Sequence, residues 1–139
     1  MTRMICEISV DNRLEQLTEI YRGLEAFVDN NGLSDDIKNR LFLVTEELFT
    51  NIVHYGYQDG VGDHIVIKAE RLGPDVLLTI RDHAAAFDAS QAPKAPSSDT
   101  DIESMEIGGL GLFLVHQFAQ SIESRREGSA NVTELVLPL

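Results

Sequence analysis

HIVIKAERLGPDVLLTIRD, residues 64–82, holds two short apolar-rich runs separated by Gly73-Pro74. Runs of this length on either side of a turn pair read as a β-hairpin. SIESRRE (121–127) and NVTELVLP (131–138) repeat the arrangement around Gly128-Ser129, and ICEISV (5–10) alternates as a further short strand. Strands that arrive in adjacent pairs, rather than one per helix, predict a mixed or mostly antiparallel sheet.

Between the first strand and this hairpin lie two helical patterns. Asn12 and Glu15 have the spacing of a capping box, opening a helix to about Asp29 with Leu14, Leu17, Ile20, Tyr21, Leu24 and Phe27 on one stripe. Asn30-Asn31-Gly32 stops it, and Ser34 caps a second helix with Ile37, Leu41, Val44, Leu48 and Ile52 on one face. That helix ends near Gly56 or Asp59-Gly60. After the hairpin, residues 83–107 carry no sustained period, as disordered segments and functional lids do. GGLGLFLVHQFAQ (108–120) is helical beyond its glycines. The expectation is one domain over 1–139: an α+β two-layer sandwich, its sheet covered on one face by three helices.

Charge narrows the function. Eleven basic against twenty-three acidic side chains give a net charge of −12. Direct nucleic-acid binding needs a basic face and is not expected. A polyanionic ligand would need a metal ion or backbone N–H groups to neutralise it. No apolar run approaches membrane-spanning length, so no membrane partner is expected. The N-terminus lacks the pattern of a signal peptide, and the single Cys6 fits a reducing cytoplasm.

Three short motifs carry chemistry. In EELFTNIVHYGY (46–57), Glu47 and Asn51 lie one helical turn apart, at the border of the buried stripe. A neutral Asn oxygen suits Mg²⁺, and a Glu one turn away can accept a proton from an attacking hydroxyl. In IRDHAAAFD (80–88), Asp82 ends a strand, where a carboxylate can accept hydrogen bonds from an adenine amino group and its neighbours. In GGLGLFLV (108–115), small residues open a helix whose N–H groups and dipole favour an anion. Taken singly, each has a plainer reading: a solvated helix surface, an Asp capping a turn, glycines that allow close packing.

Together and in this order, the motifs resemble the N box and the two glycine boxes of the GHKL ATPases, the family of gyrase, heat-shock chaperones and sensor histidine kinases. They are most similar to the small anti-sigma-factor serine kinases. Those pair a Glu-x-x-x-Asn helix with Asp-x-Gly-x-x-Phe-Asp and Gly-Gly-x-Gly-Leu boxes in a chain of about this length. The resemblance implies a Bergerat-type fold binding ATP with Mg²⁺. Asn51 would hold the metal and, through it, the phosphates, and Glu47 would be the general base for a seryl hydroxyl. Asp82 would read adenine, Ala84 would stand beside it, and Phe87 would lie near the base of a nucleotide lid spanning about 83–107. Gly109 and Gly111 would surround the phosphates. A polar residue of the last strand, Thr133 or Asn131, would support Asp82. The implied function is transfer of the γ-phosphoryl of Mg-ATP to a serine of an antagonist protein, with a sigma factor as the other partner. A homodimer through the edge strand 5–10 is also implied.

One position departs from the pattern: Ala84 stands where the first glycine box carries glycine. If the site needs positive φ, the side chain strains it; if it needs only space, the methyl group is pushed toward adenine. Either would weaken nucleotide binding. The alternative function is therefore a non-catalytic, nucleotide-sensitive partner switch.

Overall fold

A computed structural model describes residues 5–57, 61–86 and 109–139, and of 109–112 the backbone alone. Its strands β1 (Ile5–Asp11), β2 (His64–Leu72), β3 (Asp75–Asp82), β4 (Ser121–Glu127) and β5 (Ala130–Pro138) form one sheet in the order β1-β2-β3-β5-β4. Every neighbouring pair is antiparallel. Among the described residues the mostly antiparallel sheet expected is antiparallel throughout. Two helices separate β1 from β2, so the chain re-enters the sheet reversed. β3 and β4 do run the same way, but β5 lies between them.

Helices α1 (Leu17–Asn30), α2 (Asp35–Tyr55) and α3 (Gly109–Phe118) supply the second layer. Alternation along the strands aims Ile65, Ile67, Val76, Leu78, Ile80, Leu135 and Leu137 at the core they share with Ile20, Leu24, Leu41, Val44, Phe49 and Val115. Each such side chain contributes roughly 1.5–3 kcal/mol when fully buried. α1 lies close on β1 because of Gly23: a Cβ there would sit 2.5 Å from Ile8 Cδ1.

The N-terminus of α1 differs from the capping-box expectation. A short 3₁₀ turn, Leu14–Gln16, precedes it, and no side chain caps that turn. Asn12 is engaged elsewhere, donating to Val61 O at 2.9 Å and accepting from Asp63 N at 3.0 Å. A tertiary contact outcompetes the local cap, and Leu14, 37% exposed, leaves the stripe. Ser34 does cap α2, its Oγ accepting from Ile37 N at 3.3 Å. The buried face of α2 is wider than its expected stripe. It adds Thr45, whose hydroxyl donates to Leu41 O at 2.7 Å, and Phe49.

Candidate functional site

α2 places Glu47 and Asn51 one turn apart, both half-buried, beside the buried Leu48 and the half-buried Ile52. Neither side chain makes a hydrogen bond with another described residue. Burial, with Glu46 beside it, pushes the Tyr21 phenol up to about 12. Burial, then the neighbouring Glu46 charge, hold the Glu47 carboxyl above the usual glutamate range. Their polar atoms are not sealed off from water, so both side chains are open to a ligand. One carboxamide oxygen and one carboxylate suit a hydrated cation chelated by phosphate better than a protein-only cage.

The second group is built at the end of β3. Asp82 is 2% exposed. Its Oδ1 accepts from Ala84 N at 2.9 Å and from Asn131 Nδ2 at 3.0 Å. The β3–β5 register puts Asn131 directly opposite Asp82, and Thr133 opposite Ile80. Thr133, buried two residues along the same face, makes no hydrogen bond to Asp82. Of the two candidates, Asn131 is the one bonded to the carboxylate. Its Nδ2 also donates to Ala85 O at 2.9 Å, while its Oδ1 accepts from Arg126 Nη1 at 2.8 Å. Arg126 further donates to Ala84 O at 3.0 Å. The first-box turn is thus clamped by two residues of the C-terminal hairpin. Arg126 escaped the sequence reading; its place opposite Asn131 follows only from the β4–β5 register.

Of the two readings made of Ala84, the backbone bears on strain. No described non-glycine residue has positive φ, so its backbone is unstrained. Its methyl, 5% exposed, packs against Gly56, the residue that ends α2. Ala85 N donates to Gly56 O at 2.9 Å. The turn that carries Asp82 is therefore seated on the helix that carries Glu47 and Asn51.

A third element latches the two. Asp63 accepts from the Tyr57 hydroxyl at 2.6 Å, from His83 N at 2.9 Å and from His64 N at 2.7 Å. Burial pushes its pKa up, but these three donors and the nearby His83 ring outweigh it and hold the carboxyl below the usual range. The same burial, with Asp63 beside it, pushes the Tyr57 phenol well upward.

Gly109 and Gly111 lie in the first turn of α3. Phe118 at its other end lies under Arg40 of α2, with the guanidinium carbon 5.9 Å from the ring centre. Phe87 and the rest of the expected lid beyond residue 86 fall outside the described residues. Among the described residues no three His, Cys, Asp or Glu side chains converge as a metal cluster, and no helix is long and apolar enough to cross a membrane.

Residues 10–137 match the family model described as a histidine kinase-like ATPase domain. The chain is 27% identical over 117 residues to the serine/threonine-protein kinase BtrW of Bordetella bronchiseptica, covering 84% of this chain and 82% of that one. Its fold is similar to the crystal structure of the RsbU and RsbW domains of Rv1364c from Mycobacterium tuberculosis, with a TM-score of 0.69 at 14% identity. That similarity spans 97% of this chain, which covers only 32% of the larger one. With the Glu47/Asn51 helix and the Asp82 turn docked together, the chain belongs to the histidine kinase-like ATPase domain family.

Proposed function

We propose that this protein is an ATP-binding serine/threonine kinase of the anti-sigma-factor type, which moves the γ-phosphoryl of Mg-ATP to a serine of an antagonist protein. The observation that carries the reading is the half-buried Glu47/Asn51 pair without hydrogen-bond partners among the described residues, set on the same helix that seats the Asp82 turn. Asn51 would hold Mg²⁺, and the ion would supply charge neutralisation at the phosphates, which this acidic chain otherwise lacks. Glu47 would accept the seryl proton as that oxygen attacks the γ-phosphorus and the bond to the departing ADP oxygen breaks; burial and the Glu46 charge raise its pKa, in the direction that strengthens a base. Asp82, held by Asn131, receives the adenine amino group; Ala84 lines that end of the cleft, and Thr133 stands behind it.

Gly109 and Gly111 would surround the phosphates, and the position of α3 is compatible with that role. With Phe118 anchored at Arg40, the preceding nine residues of α3 span ~14 Å. If α3 runs antiparallel to α2 over that length, Gly109 and Gly111 would come to about the level of residues 47–49, within a turn of Asn51, where their N–H groups could meet phosphate oxygens. Phe87 is assigned to the base of the nucleotide lid.

The name of BtrW as a serine/threonine-protein kinase supports the reaction class, and the likeness to an RsbW domain supports the fold in which it would occur. The partners proposed are a sigma factor and its antagonist, in the cytoplasm. β1 lies at the sheet edge and is proposed to pair with a second copy. The alternative, a non-catalytic nucleotide-sensitive switch, rests on Ala84 in place of glycine; the unstrained backbone there and the methyl's contact with Gly56 favour the kinase reading.

The test is transfer of label from [γ-³²P]ATP with Mg²⁺ to candidate antagonists. Phosphoserine that appears with the natural chain and disappears with Glu47→Ala supports the reading. Equal transfer by both, or none to any candidate, removes it.

A further inference from the structure

The seat of the Asp82 turn on α2 has a steric logic of its own. A Cβ built on Gly56 would lie 2.6 Å from Ala84 Cβ. Two carbons need ~3.5–4.0 Å, so the junction has room for one methyl group and not two. It is carried at 84, and position 56 supplies the space. We propose that Gly56 and Ala84 are a complementary pair that sets how the Asp82 turn seats on α2, and so fixes the spacing between the base and phosphate halves of the cleft. The first half of this statement stands on the geometry alone; the second rests on the nucleotide site proposed above.

The turn is held from two sides. On the sheet side, Arg126 and Asn131 bind Ala84 O and Ala85 O at 3.0 and 2.9 Å. On the helix side, the hold is the Ala85 N–H on Gly56 O at 2.9 Å together with the buried Ala84 methyl against the Gly56 backbone. Asn51 stands five residues before Gly56 on the same helix, ~7.5 Å along its axis. Asp82 stands two residues before Ala84 and accepts its N–H. Any change in height at 56/84 therefore moves Asp82 relative to Asn51.

The exchange is not symmetric. A methyl at 56 would also lie 2.6 Å from Ile52 O, the carbonyl that accepts the Gly56 N–H at 2.9 Å. Moving the methyl from 84 to 56 relieves the clash with Ala84 and leaves the one with Ile52.

Ala84→Gly, Gly56→Ala and the double variant of the full chain test this. The readouts are Tm and amide hydrogen exchange at Ala85 without nucleotide, and Mg-ATP affinity by calorimetry. Ala84→Gly is expected to lower Tm by a few degrees, speed Ala85 exchange several-fold and weaken ATP binding a few-fold. Gly56→Ala is expected to lose more in all three. Adding Ala84→Gly to it recovers part of each loss, and recovery of a folded protein from an unfolded single variant counts as the same rescue. Tighter ATP binding by Ala84→Gly would show that the methyl faces the cleft and would overturn the proposal, as would strictly additive effects of the two substitutions. If the natural chain does not bind Mg-ATP, the nucleotide reading fails by itself, and Tm with Ala85 exchange still decide the pairing.

Discussion

At the scale of single residues, the site is a set of polar groups whose partners can be counted. Asn131 satisfies Asp82 Oδ1 and Ala85 O and is itself bound by Arg126. Asn131→Ala leaves these groups short of a partner at a cost of about 2 kcal/mol. Differential scanning calorimetry should show the lower Tm, and ATP titration an affinity loss of about tenfold or more. Thr133→Val removes no hydrogen bond to Asp82 and is expected to leave the nucleotide-free Tm nearly unchanged. Glu47 makes a different prediction. A general base works only when deprotonated, and its pKa is raised, so transfer should fall with pH through a value above the ordinary ~4.3. A pH–rate profile measures that limb. Glu47→Gln is expected to abolish transfer while Mg-ATP binding persists.

At the scale of elements, the end of α2, the start of β2 and the end of β3 meet at one carboxylate. Asp63 takes hydrogen bonds from Tyr57, His64 and His83, and its depressed pKa means the folded state favours the charged form. Its contribution to stability is complete above the unfolded carboxylate value, near pH 4, and is lost as pH falls through the lower folded value. Urea midpoints of the natural chain should therefore drop below about pH 4, and Asp63→Asn should flatten part of that drop. Tyr57→Phe removes the shortest of the three bonds and is expected to cost about 1 kcal/mol, read as a lower urea midpoint at neutral pH. Element boundaries were largely legible beforehand. β2 and β3 occupy the expected 64–72 and 75–82, because alternation and a turn pair are local signals. The start of α1 was not, because Asn12 is bonded to a loop some fifty residues away, which no local pattern encodes.

At the scale of the whole molecule, the sheet has two unlike faces, and among the described residues β1 and β4 are its edge strands. One face is roofed by α1, α2 and α3; the other carries the surface ion pairs Arg81–Glu127, Arg125–Glu127 and Arg125–Glu134. Such exposed pairs are screened by salt and lend little stability. The free edge of β1 is where a second copy could continue the sheet. Light scattering is expected to give a mass twice that of one chain; a mass of one chain at micromolar concentration would remove the dimer.

The sequence alone determined the elements, the α+β layering and the residue types of the candidate site, because periodicity, turn chemistry and helix spacing are local and survive without a fold. It also brought Glu47 and Asn51 together, since four residues on a helix fix a distance. It left three matters open: whether Asn131 or Thr133 reaches Asp82, whether the Ala84 backbone is strained, and how the Asp82 turn is joined to the Glu47/Asn51 helix. Strand register decided the first, placing Asn131 opposite Asp82. The backbone of the turn and its docking on a helix end decided the other two, because Gly56 and Ala84 meet only when residues far apart in the chain are packed into contact.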